Sequence, residues 1–224
     1  MMKFAVIVAG GSGQRMGTDI PKQFLLLHGK PILHYTITTF LQSFPDLQVI
    51  LVLPKQHVLM GGKLIKSIAD ADRIKIVEGG ETRFNSVKNG LLHVQHPSIV
   101  FVHDGVRCLI TQELIHTCYE SALLHGSAIP AVSATDSIRI IDGENNSMIE
   151  RDKVRIVQTP QTFTSDILTN AFKQEYRPSF TDEATVVEAS GNKVHLVEGD
   201  YNNIKITRPI DLLIAENLMK ETIF

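Results

Sequence analysis

Short runs of β-branched and apolar residues recur along this chain with segments of helical period between them, and that alternation leaves few architectures open. The runs are Phe4 to Val8, Gln48 to Leu53, Ile74 to Val77, Ile99 to Val102, Ala128 to Val132 and Lys193 to Val197. Parallel strands joined by crossover helices have this pattern, so an α/β fold is expected. Pro31 stands at a favourable first helical position, after which Leu33, Ile37, Phe40, Leu41 and Phe44 fall on one face. Arg83 to Val94 and Gln112 to His125 read as further helices, the second opened by Thr111 as N-cap and ended by Gly126. Thr164 is expected to cap a helix to about Tyr176, Asp182 to Ala189 reads as a short helix stopped by Gly191, and Pro209 opens the last one. One stretch breaks the alternation. Ser137 to Ile141, a polar turn at Asp142 to Asn146 and Met148 to Val157 read together as a hairpin excursion. No repeat, low-complexity tract or charge block marks a linker, so one domain over residues 1–224 is expected.

The 22 basic and 24 acidic residues are interspersed, giving a formal charge of -2 and no global field of the kind nucleic-acid binders carry. Any positive site must be local. Cys108 and Cys118 show neither metal-ligand spacing nor a disulfide framework, which suits a reducing, cytoplasmic setting. The first apolar run, Phe4 to Ala9, is too short for a signal-peptide core or a membrane span. A buried first strand in a soluble protein without a membrane partner is the expectation.

Directly after that strand come Ala9-Gly10-Gly11-Ser12-Gly13-Gln14-Arg15-Met16-Gly17 and then Pro21-Lys22-Gln23. Glycines let backbone amides approach an anion closely, and amides in a tight turn form a concave anion nest. The P-loop is excluded because its Gly-Lys-Ser/Thr ending is missing. The dinucleotide fingerprint fails too, with Met16 where its third small residue belongs and no acid near Leu33. A kinase set is absent. What remains is a glycine loop carrying Arg15 and, seven residues later, Lys22 beside Pro21. Fixed cations of this kind suit a nucleoside triphosphate attacked at its α-phosphorus, where charge builds on the equatorial oxygens as pyrophosphate leaves.

Six separated motifs occur in one order: the glycine loop, Pro21-Lys22-Gln23, Val102-His103-Asp104, Thr159-Pro160-Gln161, Thr181-Asp182-Glu183-Ala184 and Asn203-Ile204-Lys205-Ile206-Thr207. Together they resemble the 2-C-methyl-D-erythritol 4-phosphate cytidylyltransferase family of the non-mevalonate isoprenoid pathway, over essentially the whole chain. The resemblance implies a Rossmann-like nucleotidyltransferase three-layer sandwich with a mainly parallel sheet and a protruding arm at about residues 137–157 that mediates a homodimer. It implies CTP and a polyol phosphate as substrates and Mg2+ as cofactor. Arg15 and Lys22 match the pair that stabilises the pentavalent phosphorus and the leaving pyrophosphate. Ala9, Gly10, Gly11 and Gly13, with Gly80, Arg83 and Ser86, match the nucleotide-binding stretches, the last three those that read the cytosine ring. Asp104 and Arg107 fall at the junction of nucleotide and polyol phosphate, Asp104 also as a candidate metal ligand. Arg151 and Lys205 match the pair that grips the substrate phosphate, the arginine reaching from the partner's arm to complete the site. Thr159 and Thr181 fall among the substrate-binding residues.

Taken without the resemblance, several of these residues have plainer readings. Asp104, after an apolar strand, would equally cap the next turn. Lys205, alternating with Ile204 and Ile206, would look the same as an exposed strand lysine, and Arg151 between Glu150 and Asp152 the same as a solvated charge. His103 is expected to order its loop rather than transfer protons, because a phosphate monoester needs no catalytic base. Cys108 stands where the family usually has proline, and Gly105 where alanine is common. Those departures put the conformation of the loop after Arg107 in question. The rival readings are a ribitol 5-phosphate cytidylyltransferase, a sugar-1-phosphate nucleotidyltransferase using another base, and a non-catalytic relative.

Overall fold

The computed structural model describes residues 1–11, 16–17 and 20–221. In chain order β1 (Met2–Val8), β2 (Leu26–Leu27), β3 (Lys30–Pro31), α1 (Ile32–Ser43), β4 (Leu47–Leu53), α2 (Val58–Ile65), β5 (Ile74–Glu78), α3 (Arg83–Leu91) and β6 (Ser98–Asp104) make up the first part. The rest comprises α4 (Gln112–His125), β7 (Ser127–Ser133), β8 (Ile138–Asp142), β9 (Asn145–Ile149), β10 (Arg155–Val157), β11 (Gln161–Thr164), α5 (Ser165–Ala171), α6 (Glu183–Ala189), β12 (Leu196–Glu198) and α7 (Pro209–Glu221).

Among the described residues eight strands form one sheet, in the order β5-β4-β1-β6-β11-β7-β10 with β12 also on β7. β5, β4, β1 and β6 are parallel, while β11 runs antiparallel to β6. Residues alternate across the sheet as strand geometry requires. Ala5 and Ile7 face Leu33, Ile37 and Phe40 of α1 and Ile115 of α4, whereas Phe4, Val6 and Val8 face Val87 of α3, Leu168 of α5 and Val187 of α6. Both faces are covered, which gives the three-layer α/β sandwich that the resemblance implies.

The order reverses between β1 and β6, since β4 and β5 extend from one side of β1 and β6 lies on the other. Ligand sites of open α/β sheets gather at the carboxyl ends of the strands at such a point. Val8 is in register with Asp104 there. The chain leaving each strand stays tied to its neighbour, with Ala9 N donating to Val52 O at 3.0 Å and Gly105 N to Val8 O at 2.9 Å.

Several expectations need correction. Pro31 is the N-cap of α1 rather than its first helical residue, and α3 stops at Leu91 and α5 at Ala171, short of Val94 and Tyr176. The helix α2 was not legible because Gly61 and Gly62 lower its propensity. Gly61 is there for packing: a Cβ on it would lie 2.3 Å from Leu53 Cδ1 of β4. The hairpin is confined to β8 and β9. Residues 155–157 return to the main sheet as β10, antiparallel to β7, because their backbone finds ladder partners there. The segment Asn203 to Thr207 alternates in sequence but forms no strand, and β12 covers only Leu196–Glu198.

Candidate active site

A cleft of about 350 Å³ opens at this strand-order reversal. Ala9, Gly10 and Gly11 line one part of it, Gly80, Arg83 and Ser86 another, and Lys22, Asp104 and Lys205 also border it. The fold therefore brings together nine of the residues singled out from sequence. Gly13 and Arg15 lie outside the described residues.

Asp104 is the last residue of a fully buried strand, and its carboxylate gathers three cations from distant parts of the chain. Lys205 Nζ lies 2.8 Å from Oδ2, Arg83 Nη2 lies 3.3 Å from Oδ1, and Arg107 Nε is 3.8 Å from Oδ2. Burial works to raise the Asp104 carboxyl, but Arg83, Lys205 and Arg107 outweigh it and hold the group well below the usual carboxylate range. It is an anion at any working pH. Arg83 in turn is paired through Nη1 with Glu183, whose carboxyl is raised by burial against the opposing charge of Arg83. Burial of Arg83 is outweighed by Glu183 and Asp104, so its guanidinium stays charged.

Lys22 follows Pro21, whose φ of -58° leads into a short 3-10 turn over Lys22–Phe24. Its ammonium donates to Ile206 O at 3.1 Å, next to Lys205. Residues 22 and 205 thus meet at the same rim. Gln23, wholly buried, donates from Nε2 to Ala9 O at 2.8 Å and so fixes the start of the glycine loop. On the α3 side, Thr82 caps the helix by accepting from Asn85 N, and Ser86 Oγ accepts from Gly80 N at 3.1 Å. That ties the Gly79-Gly80 turn to the first turn of α3.

Behind Asp104 the polar contacts form a chain. Asp104 N donates to Thr159 Oγ1 at 3.1 Å, Thr159 Oγ1 lies 3.0 Å from His103 Nδ1, and His103 Nε2 lies 3.1 Å from Arg107 O. This network assigns the proton to Nε2 of His103 and the Thr159 hydroxyl proton to Nδ1. Burial lowers the His103 imidazole to about 4, so it is neutral and orders the turn. Asn203 Nδ2 donates to Thr159 O at 2.8 Å, and Arg107 Nη1 donates to Asn203 O at 2.7 Å. Thr159 and Arg107 thus stand behind the cleft wall rather than on it.

The turn after Asp104 is packed, which answers the question raised by Gly105 and Cys108. A Cβ at Gly105 would come within 2.9 Å of Leu33 Cδ1 and 3.0 Å of Ala9 Cβ. Cys108 is buried with Met16, Val106, Ile206 and Ala215, and burial pushes its thiol up to about 12. The Lys205 segment is anchored from the other side by Asp211. Its Oδ2 accepts from Thr207 N, Thr207 Oγ1 and Arg208 N at 2.7 to 2.8 Å, joining residues 205–208 to α7.

Two singled-out residues stay away from the cleft of this chain. Thr181 is exposed, and Arg151 is half-exposed, donating to Thr135 O at 3.1 Å at the base of the hairpin. Glu183, Gln23 and Asn203 were quoted within motifs yet given no role. Nothing local in the sequence shows that a glutamate one residue past a helix cap is buried on an arginine a hundred positions earlier. Among the described residues no group of three or more His, Cys, Asp or Glu side chains converges on a metal site. No helix among them is long and apolar enough to cross a membrane.

The profile of the 2-C-methyl-D-erythritol 4-phosphate cytidylyltransferase family matches residues 3–221. The chain is 46% identical over 219 residues to the protein of that description from Bacteroides thetaiotaomicron, covering 98% of this chain and all of the relative. It is 45% identical over 219 residues to the one from Phocaeicola vulgatus, with the same coverage. Among solved structures, 4-diphosphocytidyl-2C-methyl-D-erythritol synthase from Anaerococcus prevotii superposes with a TM-score of 0.84 at 27% identity, covering 98% of each chain. These matches do not favour the ribitol phosphate alternative.

Proposed function

This chain belongs to the 2-C-methyl-D-erythritol 4-phosphate cytidylyltransferase family, and from that premise we propose how its cleft performs the reaction. The enzyme transfers CMP from CTP to 2-C-methyl-D-erythritol 4-phosphate, giving 4-diphosphocytidyl-2-C-methyl-D-erythritol and pyrophosphate. The observation that carries the site assignment is the pairing of Arg83 and Lys205 with Asp104 at the strand-order reversal, with Lys22 lining the same cleft.

The reaction brings two anions together, so its main requirement is positive charge and alignment. The substrate phosphate is already anionic near neutral pH and attacks the α-phosphorus in line. A new phosphorus–oxygen bond forms, the bond to the bridging α,β-oxygen breaks, and its electron pair leaves with pyrophosphate. Lys22, with Arg15, stabilises charge on the α-phosphoryl oxygens and the leaving group. The amides of the Ala9-Gly10-Gly11 turn, continuing to Gly13, cradle the triphosphate, while Gly80, Arg83 and Ser86 form the base side. Lys205 exchanges its Asp104 partner for the substrate phosphate, and Arg151 reaches that phosphate from the arm of a second copy. Thr181 holds the polyol, and Thr159 and Arg107 fix Asp104 from behind.

The reading takes the chain as one nucleotidyltransferase domain with a dimerisation arm at 137–157. Magnesium fits the donor set in a limited form, with one carboxylate from Asp104 and the remaining ligands from triphosphate oxygens. Bound in that way it would neutralise phosphate charge. The two free thiols support a reducing, cytoplasmic setting. The test is pyrophosphate release from CTP with magnesium, comparing 2-C-methyl-D-erythritol 4-phosphate with ribitol 5-phosphate. Lys22→Ala should lower turnover by at least about a thousandfold with an unchanged circular dichroism spectrum. Near-normal turnover would remove Lys22 from the mechanism.

A further inference from the structure

Glu183 is a charged side chain that the reaction does not use, yet it is only 1% exposed and its closest partner is a cleft residue. Its backbone is fixed. Asp182 caps α6 by accepting from Thr185 N at 2.9 Å, Gln161 Nε2 donates to Asp182 Oδ2 at 2.9 Å, and Gln161 Oε1 accepts from Ala184 N at 2.8 Å. Gln161 belongs to β11, so the first turn of α6 is bolted to the sheet on both sides of Glu183.

Arg83 is held less firmly, on the first turn of α3 with its side chain 29% exposed. Its guanidinium is divided unequally between two carboxylates. Nη1 donates to Glu183 Oε1, while Nε and Nη2 stand 3.4 and 3.3 Å from Asp104 Oδ1. A charge-assisted pair left to itself closes to roughly 2.7–2.9 Å, often with both arms of the fork. Arg83 is therefore restrained short of full pairing with Asp104. Without Glu183 the guanidinium would close on Asp104 and leave the base side of the cleft.

We propose that Glu183 is a positioning residue for CTP binding: it holds Arg83 against the Gly80–Ser86 side of the cleft and keeps it from collapsing onto Asp104. This rests on the reading of the cleft as the CTP site. A purely structural Glu183 would affect the amount of folded protein and not the affinity for one substrate.

The experiment measures both KM values and kcat for Glu183→Gln, Arg83→Gln and the double variant. Glu183→Gln should raise KM for CTP about tenfold and leave KM for the erythritol phosphate within about twofold. The double variant should be no worse for CTP than Arg83→Gln alone, because the two side chains act through one contact. Unchanged KM for CTP, or effects that multiply, would overturn the proposal. Should Glu183→Gln fail to fold, Glu183→Asp keeps the charge on a shorter arm and should raise KM for CTP about threefold; no rise would count against the proposal equally. Wild-type protein inactive with CTP would instead sink the activity assignment, and CTP calorimetry on the same variants would still decide the role of Glu183.

Discussion

At the end of β6, Asp104, His103 and Thr159 are at most 7% exposed, and the contacts that aim them come from this chain. On the β8–β9 hairpin, by contrast, Ile140, Ile141 and Met148 are 51, 70 and 68% exposed, and Arg151 at its base makes only solvated contacts. Both regions end in residues assigned to the same reaction. A cleft floor aimed from within one chain is complete when that chain folds, whereas an arm with uncovered apolar side chains on both of its faces has the character of an interaction surface. On the assignment proposed above, half of the phosphate grip, Lys205, is set by folding, and the other half, Arg151, would be set by assembly.

The strongest way to break the floor is Asp104→Ala, which leaves Arg83, Arg107 and Lys205 crowded together without their shared anion. Turnover should fall at least about a thousandfold and stability by about 3 kcal/mol, read from the urea midpoint. Loss of activity with full stability would mean that the cations relax freely and the floor is less fixed than described.

The arm is tested by Arg151→Ala, expected to cost about a hundredfold in turnover with an unchanged melting temperature. Mixing it with Lys22→Ala should then restore about a quarter of wild-type activity, because half of the random dimers contain one site with both side chains. Failure of the mixture to recover would make Arg151 a residue of its own chain or of none. Ile141→Lys should shift the protein toward monomer in sedimentation while leaving Lys205 and Asp104 in place, and a persistent dimer would move the interface elsewhere.

A pH titration separates the regions more gently. His103 is depressed to about 4 in the folded protein, so the unfolded chain takes up its proton first as pH falls below about 6.5. Its contribution is complete above that value and is lost toward pH 4, by up to about 3 kcal/mol. His103→Gln should flatten the slope in that window, and an unaltered slope would assign it to other groups.

The sequence and the structure agree where local pattern and burial coincide. The β-branched runs became β1, β4, β5, β6 and β7, and Thr111 caps α4 as its residue type demands. They part where tertiary contact decides. α2 contains two adjacent glycines because Leu53 leaves no room at one of them, and β11, four residues long, is a strand because β6 and β7 both offer it a ladder. The alternation around Lys205 mimicked a strand, but its backbone is held by Asp211 and by Val106 instead. Lys22 and Asp104 were legible as charges after the glycine loop and at a strand end, whereas Lys205 was legible only through the motif resemblance. Glu183 was not, since its meaning comes from burial beside Arg83.

The clamp of Asp211 on Thr207 and Arg208 has a practical side. α7 lies outside the sheet, yet through that carboxylate it holds Thr207 and Arg208, in the same segment as Lys205. Anything fused or tethered beyond α7 therefore pulls on the segment that carries Lys205 to the cleft, while Met2 begins β1 at the end of that strand away from the cleft. For immobilisation or labelling, the amino-terminal side is the mechanically silent handle. Force applied at the carboxyl-terminal helix would reach the Lys205 segment through Asp211 and the apolar cluster of Cys108 and Ile206 through Ala215.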